Sequence, residues 1–294
     1  MEFFLLNRQA AAWTLSVVLL AGLSSCQERV FIDTTASAPR LVIYGYLTTD
    51  TLAHAIRLTR SSGYFSTGKP DGISGAQVTI RRQDGAWPLT ESPSEPGLYR
   101  TADNVAGQIG ETYTLNVSVD FDGDGQPEEY EAISFLPPAP QLDSIAVQPS
   151  SLSDHHMEVL TWGRLPEGEI NYFSFHLYLN GRIVNDSLQG YSISNDEYLQ
   201  KKYIEALPVS YLNQRREASE LQDGDSLTLQ VEGITREYAL FITNAQSEYR
   251  GSMPLFSAPP ANIETNIRRL APSGSDVAGF FTAFSVNRVA MIYR

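Results

Sequence analysis

The segment DFDGDGQPEEYE, residues 120 to 131, concentrates six carboxylates and no basic residue in twelve positions. Its spacing satisfies that of a twelve-residue calcium loop. Asp120, Asp122 and Asp124 stand at the first, third and fifth positions, Gln126 offers its backbone carbonyl at the seventh, Glu128 stands at the ninth and Glu131 at the twelfth. Gly125 falls at the sixth, where the chain must turn sharply. A hard divalent cation prefers such oxygen ligands and would relieve the mutual repulsion of the unliganded carboxylates. The flanks read as strands and there is no second copy, so a paired EF-hand is not expected. Two readings stand: a structural calcium site that staples a hairpin, and a solvated acidic tip with no dedicated ion. Calcium loops of the extracellular type bind at roughly 10⁻⁴ to 10⁻³ M.

Cys26 is the only cysteine among 294 residues. Behind Arg8 runs an uncharged apolar stretch, residues 10 to 23, which is too short for a bilayer core that takes about 20 helical residues. It has the length of the apolar region of a secretory signal. Leu23-Ser24-Ser25-Cys26 then resembles the bacterial lipobox, in which lipid is added to the cysteine thiol and the chain is cut in front of it. The expected organisation is a signal peptide over residues 1–25, a lipid on Cys26 and a polar tether over 26–39. An ordinary secretory signal with a chance cysteine is the alternative, but it leaves an unpaired thiol in an oxidising compartment. Without disulfides, the body must rest on its own core or on a metal. A formal charge of −13 makes nucleic acid and anionic headgroups poor partners, so the expected membrane contact is the lipid itself.

The remaining chemistry is sparse. His155 and His156 are adjacent and would point to opposite sides of a strand, while His54 and His176 fall in separate strands; surface or edge positions are expected for them. No nucleophile elbow, phosphate loop or nicotinamide fingerprint occurs, so no catalytic or organic cofactor-binding residue is assigned. With 34 Asp and Glu, linear sequence cannot select a pair for glycoside chemistry. Tyr44, Tyr46, Tyr64, Phe65, Trp87, Tyr99 and Trp162 could form a sugar-stacking or protein-binding patch, or pack in the core.

The elements that must position these residues are mostly strands. Short β-branched and aromatic runs occur at 41–47, 54–60, 76–82, 97–101, 112–120 and 129–137, with no helical periodicity among them. They predict a β-sandwich over residues 40–137. Pro137-Pro138-Ala139-Pro140 cannot continue a ladder and marks a boundary. A second β-rich domain is expected over 138–294, with strands at 142, 157 and 172 and a type I′ turn at Asn180-Gly181. Two helices are expected within it. One runs near 195–207, from a capping box of Ser194 and Glu197 with Leu199, Tyr203, Ala206 and Leu207 at helical spacing. The other covers 236–249, starting after Thr235, with a stripe of Tyr238, Phe241, Ile242, Ala245 and Tyr249. Residues 278–293 predict a closing pair of strands.

The order of lipobox, IDTTASAPRLVIYGYLTTD, IRLTRSSGYF, ISGAQVTI and GLYR, followed by PPANIETNI and VAGFFTAFS, resembles a lipoprotein family of Bacteroidota known as domain of unknown function 4249. The resemblance runs from about Phe31 to the C-terminus. It implies a mainly β fold whose N-terminal sandwich is immunoglobulin-like or transthyretin-like, and a lipid-anchored place at the outer membrane, its periplasmic or surface face left open. Members often stand beside TonB-dependent receptors, which implies a non-enzymatic accessory that binds such a receptor or its cargo. A surface adhesin or matrix protein is the alternative function, and a carbohydrate-active or other hydrolase a further one. The family offers no catalytic set to transfer, and the resemblance does not extend to the acidic loop at 120–131, which is read from this sequence alone.

Overall fold

Alternation makes the first strand and gives it two jobs. In LVIYGYLT, Leu41, Ile43 and Leu47 turn into a core, while Val42, Tyr44 and Tyr46 stand on the opposite face. A computed structural model describes residues 39–61, 68–151, 153–168, 170–184, 187–199, 201–216, 219–249, 263–271 and 277–294. The signal segment, Cys26 and most of the tether lie outside the described residues, as do Tyr64 and Phe65.

In chain order the strands are β1 (Leu41–Thr48), β2 (Ala55–Arg60), β3 (Gln77–Arg82), β4 (Gly85–Glu91), β5 (Leu98–Arg100), β6 (Thr112–Val119) and β7 (Glu128–Phe135). Beyond the proline run come β8 (Gln141–Pro149), β9 (His156–Arg164), β10 (Tyr172–Leu179), β11 (Arg182–Ile183), β12 (Ser192–Asn195), β13 (Tyr203–Asn213) and β14 (Ser226–Ile234). Helix α1 (Arg236–Tyr249), β15 (Ile267–Ala271) and β16 (Val277–Ile292) close the chain.

β1, β2 and β5 form one layer of a sandwich and β3, β6, β7 and β15 the other. β4 passes between them, pairing with β3 through residues 85–89 and with β5 through 90–91. Leu41, Ile43, Ile56 and Leu58 of the first layer meet Val78, Ile80, Leu115 and Val117 of the second. In the other half, β10, β14 and the end of β16 face a separate sheet of β8, β9 and β13 across Phe175, Leu229, Val231, Val159 and Leu212.

β16 joins the two. The expected closing pair of strands is instead one strand of 16 residues. Its first half runs parallel to β1, from Leu41↔Val277 to Thr48↔Phe284, and its second half antiparallel to β14, from Gly233↔Ser285 to Ser226↔Ile292. A single hydrogen-bonded path therefore runs from β10 through β14, β16 and β1 into the first sandwich, and residues 39–294 hold together as one unit. Proline at 137, 138 and 140 crosses this junction without a ladder of its own; the Ser285 hydroxyl donates to the Pro137 carbonyl at 2.6 Å.

The fold is mainly β, with one α-helix among the described residues, beside a single 3-10 turn at Leu188–Gly190, rather than the two helices expected. α1 begins where the sequence places it: the Thr235 hydroxyl accepts the Tyr238 N–H at 3.2 Å, and Tyr238, Ala239 and Ile242 are buried against Phe280 and Phe284. The helix expected near 195–207 is the end of β12, a turn and the start of β13. Two register shifts against β9, between Ile204 and Leu207 and between Pro208 and Ser210, explain the error. The expected stripe of Leu199, Tyr203, Ala206 and Leu207 shares no buried face: Tyr203 and Ala206 are exposed, and Ala206 sits at φ 52° in the first bulge, which puts Leu207 three residues after the buried Ile204. The Asn180-Gly181 turn has both residues at positive φ, 50° and 77°, as a type I′ hairpin requires.

Candidate functional site

The β6–β7 hairpin carries the acidic loop at its tip. Asp120, Asp122 and Asp124 are exposed, and one carboxylate oxygen from each lies within 4.8 Å of the others, a grouping able to coordinate a metal ion. The loop curls around its own acids. Asp120 accepts the N–H groups of Gly123 at 2.8 Å and Gly125 at 3.0 Å, Asp122 that of Asp124, and Asp124 that of Gln126. Gly123 and Gly125 reach φ of 80° and 85°, which the curl demands and a side chain would resist.

The other two expected acids point elsewhere. Glu128 and Glu131 belong to β7, whose outer neighbour β15 supplies two arginines. Glu128 is buried, accepts the Phe121 N–H at 2.7 Å and pairs with Arg269 at 3.2 Å; Glu131 pairs with Arg268 at 2.8 Å. The structure thus brings three of the expected ligands together and gives Glu128 and Glu131 to ion pairs across the sheet.

A second site comes from the shared sheet. β10, β14, β16 and β1 lie side by side, and on each the residues that do not enter a core project onto one face. They are His176 and Tyr178 from β10, Gln230 and Glu232 from β14, Arg288 from β16, and Tyr44, Tyr46 and Thr48 from β1, joined by Phe284 and Val286 of β16 from the cluster beneath α1. Tyr238 of α1 and Tyr191, just before β12, close over one end, and the space left is a cleft of about 270 Å³. The cover is tied down: the Gln246 side-chain amide donates to the carbonyls of Leu188 at 2.8 Å and Tyr191 at 2.9 Å.

The polar groups of the cleft are committed to one another. His176 Nε2 lies 3.0 Å from the Ser174 hydroxyl and 3.3 Å from Glu232. Gln230 donates to the other Glu232 oxygen at 2.8 Å and accepts from Arg288 Nε at 2.7 Å, and Arg288 grips both oxygens of Asp50 at 3.0 and 2.6 Å. Glu232 and His176 are buried, where an ionised carboxylate is tolerated only with partners of this kind. The Tyr44 and Tyr238 hydroxyls bond each other at 3.0 Å. Burial raises the pKa of Tyr44, Tyr46, Tyr178, Tyr191 and Tyr238, so these phenols stay protonated at neutral pH. The Asp50 carboxylate holds Arg288 above its ordinary pKa.

Ser174, His176 and Glu232 have the composition of a catalytic triad but not its wiring. A relay needs the nucleophile on one ring nitrogen and the acid on the other, whereas here both approach Nε2. Ser174 itself is wholly buried.

The family model described as Domain of unknown function (DUF4249) matches residues 27–289. The chain belongs to this family. Comparison with curated proteins returns no match. Among solved structures, the crystal structure of chicken CNTN1 FN1-FN3 domains aligns at 14% identity with a TM-score of 0.27, over 67% of this chain and 62% of that one.

In this DUF4249 chain the sequence found parts of the cleft singly and missed its centre. Tyr44 and Tyr46 were among the candidate aromatics, and the structure places both in the cleft. Tyr99 is buried and bonds to Ala76 and Ile73, and Trp87 packs beside Tyr113 at 6.0 Å between ring centroids. His54 and His176 are buried rather than at the surface. The missed signal is in SLTLQVEGI: Leu227, Leu229 and Val231 alternate into the core, and Thr228, Gln230 and Glu232 occupy the other face. β10 repeats the pattern, with Phe173, Phe175 and Leu177 inward and Ser174, His176 and Tyr178 opposite. Two such strands side by side make a polar floor.

Proposed function

We propose that this DUF4249 chain is a non-enzymatic binding protein, lipid-anchored at Cys26 in the outer membrane, that serves a TonB-dependent nutrient uptake system by holding the receptor or its cargo. The observation that carries the binding reading is the cleft, a concave site whose buried polar groups are fixed by one another and whose serine and histidine are not wired for nucleophilic attack. The lipobox at Leu23 to Cys26 supports the anchor, and the family resemblance supports the receptor. The same resemblance favours reading the first sandwich as immunoglobulin-like or transthyretin-like.

The test is capture of the tagged, lipidated chain from detergent-solubilised native membranes, followed by mass spectrometry. An outer-membrane barrel receptor is expected to be enriched, and Cys26→Ser to lose it. Absence of any barrel from the wild-type capture would sink the uptake reading. Loss of cell-cell contact on deletion, with no barrel captured, would point to the adhesin instead.

Calcium is the ion we assign to Asp120, Asp122 and Asp124, in a structural role at the hairpin tip. Calcium at ten times its dissociation constant stabilises by about 1.4 kcal/mol. The melting temperature is therefore expected to rise in millimolar calcium, and Asp122→Asn combined with Asp124→Asn to remove the gain. Identical melting curves in calcium and in chelator would exclude the ion.

A further inference from the structure

The cleft also indicates what kind of molecule it holds. Its amide and guanidinium donors are spent, since Gln230 gives to Glu232 and Arg288 gives to Gln230 and Asp50, and the Tyr44 and Tyr238 hydroxyls share one hydrogen bond. Among the described lining residues an anion finds no free cation, because Arg288 is neutralised by the two-oxygen grip of Asp50. Glu232, already held by His176 and Gln230, keeps a further lone pair on each oxygen and lies among aromatic side chains.

A buried carboxylate beside several aromatic rings is the chemistry that selects an organic cation, since the ring quadrupole attracts positive charge and the carboxylate balances it. The protein's formal charge of −13 favours the approach of cations further. At about 270 Å³ the space lies just below the range typical of drug-sized ligands and suits a small head group.

We propose that this cleft binds the charged end of a small alkylammonium molecule, of the diamine or choline type, with Glu232 as counter-ion and Tyr46, Tyr178 and Tyr191 as its aromatic wall. This rests on the reading of the protein as a cargo binder and names the class of cargo. Tyr46, partly exposed at the rim, is the wall residue whose change least disturbs the fold.

Isothermal titration of the full lipidated chain in detergent, with cadaverine, choline and glucose as separate probes, tests the assignment. Saturable heat is expected from cadaverine or choline and none from glucose; whichever cation binds tells a primary amine site from a quaternary one. Tyr46→Leu is expected to weaken binding about threefold, and Glu232→Gln to abolish it while near-ultraviolet circular dichroism stays native. No saturable heat from either cation, glucose binding as well as they do, or wild-type affinity in both variants would overturn the proposal. If Glu232→Gln does not fold, Tyr46→Leu decides alone. The uptake reading is judged separately: a captured barrel without ammonium binding refutes only the ligand class, and ammonium binding without a barrel refutes only the receptor.

Discussion

Gly279→Val is expected to lower stability by about 3 kcal/mol or more, among the largest effects of any single substitution in this chain. Gly279 lies in β16 at φ 101°, and a Cβ built there overlaps the carbonyl oxygen, carbonyl carbon and amide nitrogen of Ile43 on β1. Those are backbone atoms of the neighbouring strand, so no rotamer change relieves the clash. The strand pair must part or the register must shift, and this pair is the seam between the two halves of the sheet. Gly279→Ala should cost nearly as much, because the first carbon alone makes the overlap. Gly110→Ala is the control: φ is 88° but nothing lies within 4 Å, leaving only the left-handed strain of about 1–2 kcal/mol. Urea denaturation checks both, and an unchanged midpoint for Gly279→Val would refute the described pairing of β1 with β16.

Glu128→Gln is expected to cost about 3 kcal/mol whether or not calcium is present. Arg269 faces Glu128 with its side chain only 16% exposed, and its Nε has no hydrogen-bond partner, so loss of the carboxylate leaves a nearly buried cation without a counter-charge. The remaining amide oxygen can still accept the Phe121 N–H that fixes the base of the acidic loop, so the cost falls on the ion pair. Arg60 holds that base from the other side, donating to the Phe121 carbonyl at 3.0 Å and lying 4.2 Å above its ring. Glu128 is thereby a strut of the hairpin, and its loss is expected to appear as a fall in melting temperature of equal size in calcium and in chelator. A fall seen only in calcium would make it a ligand instead.

These residues also show what the sequence disclosed and what it hid. Strands with one core face and one polar face were legible, as in β1 and β6, because strict alternation survives in the sequence. The start of α1 was legible because Thr235 is a capping residue placed one step before an apolar stripe. β13 was misread because its bulges break alternation, while Leu199, Tyr203, Ala206 and Leu207 fall at helical spacing without sharing a buried face. The continuous β16 was missed because nothing local in residues 277–292 says that one strand changes partners midway; that follows only from where β1 and β14 end up. The loop spacing found Asp120, Asp122 and Asp124, but it could not foresee that Arg268 and Arg269, some 140 residues later, would take Glu131 and Glu128. The cleft was hidden for the same reason: Glu232, His176, Tyr44 and Arg288 come from four strands that only the sheet order makes neighbours.

The central claim is that recognition runs through this cleft. A benzophenone amino acid in place of Tyr46, which is 41% exposed at the rim, reports directly on what occupies it in living cells. Ultraviolet activation is expected to attach an outer-membrane barrel or a small cargo molecule at this position, and to attach neither when the probe replaces Ile133 on the outer face of β7. Equal yields from both positions, or no adduct at Tyr46 in cells that carry the protein at its native level, would contradict it.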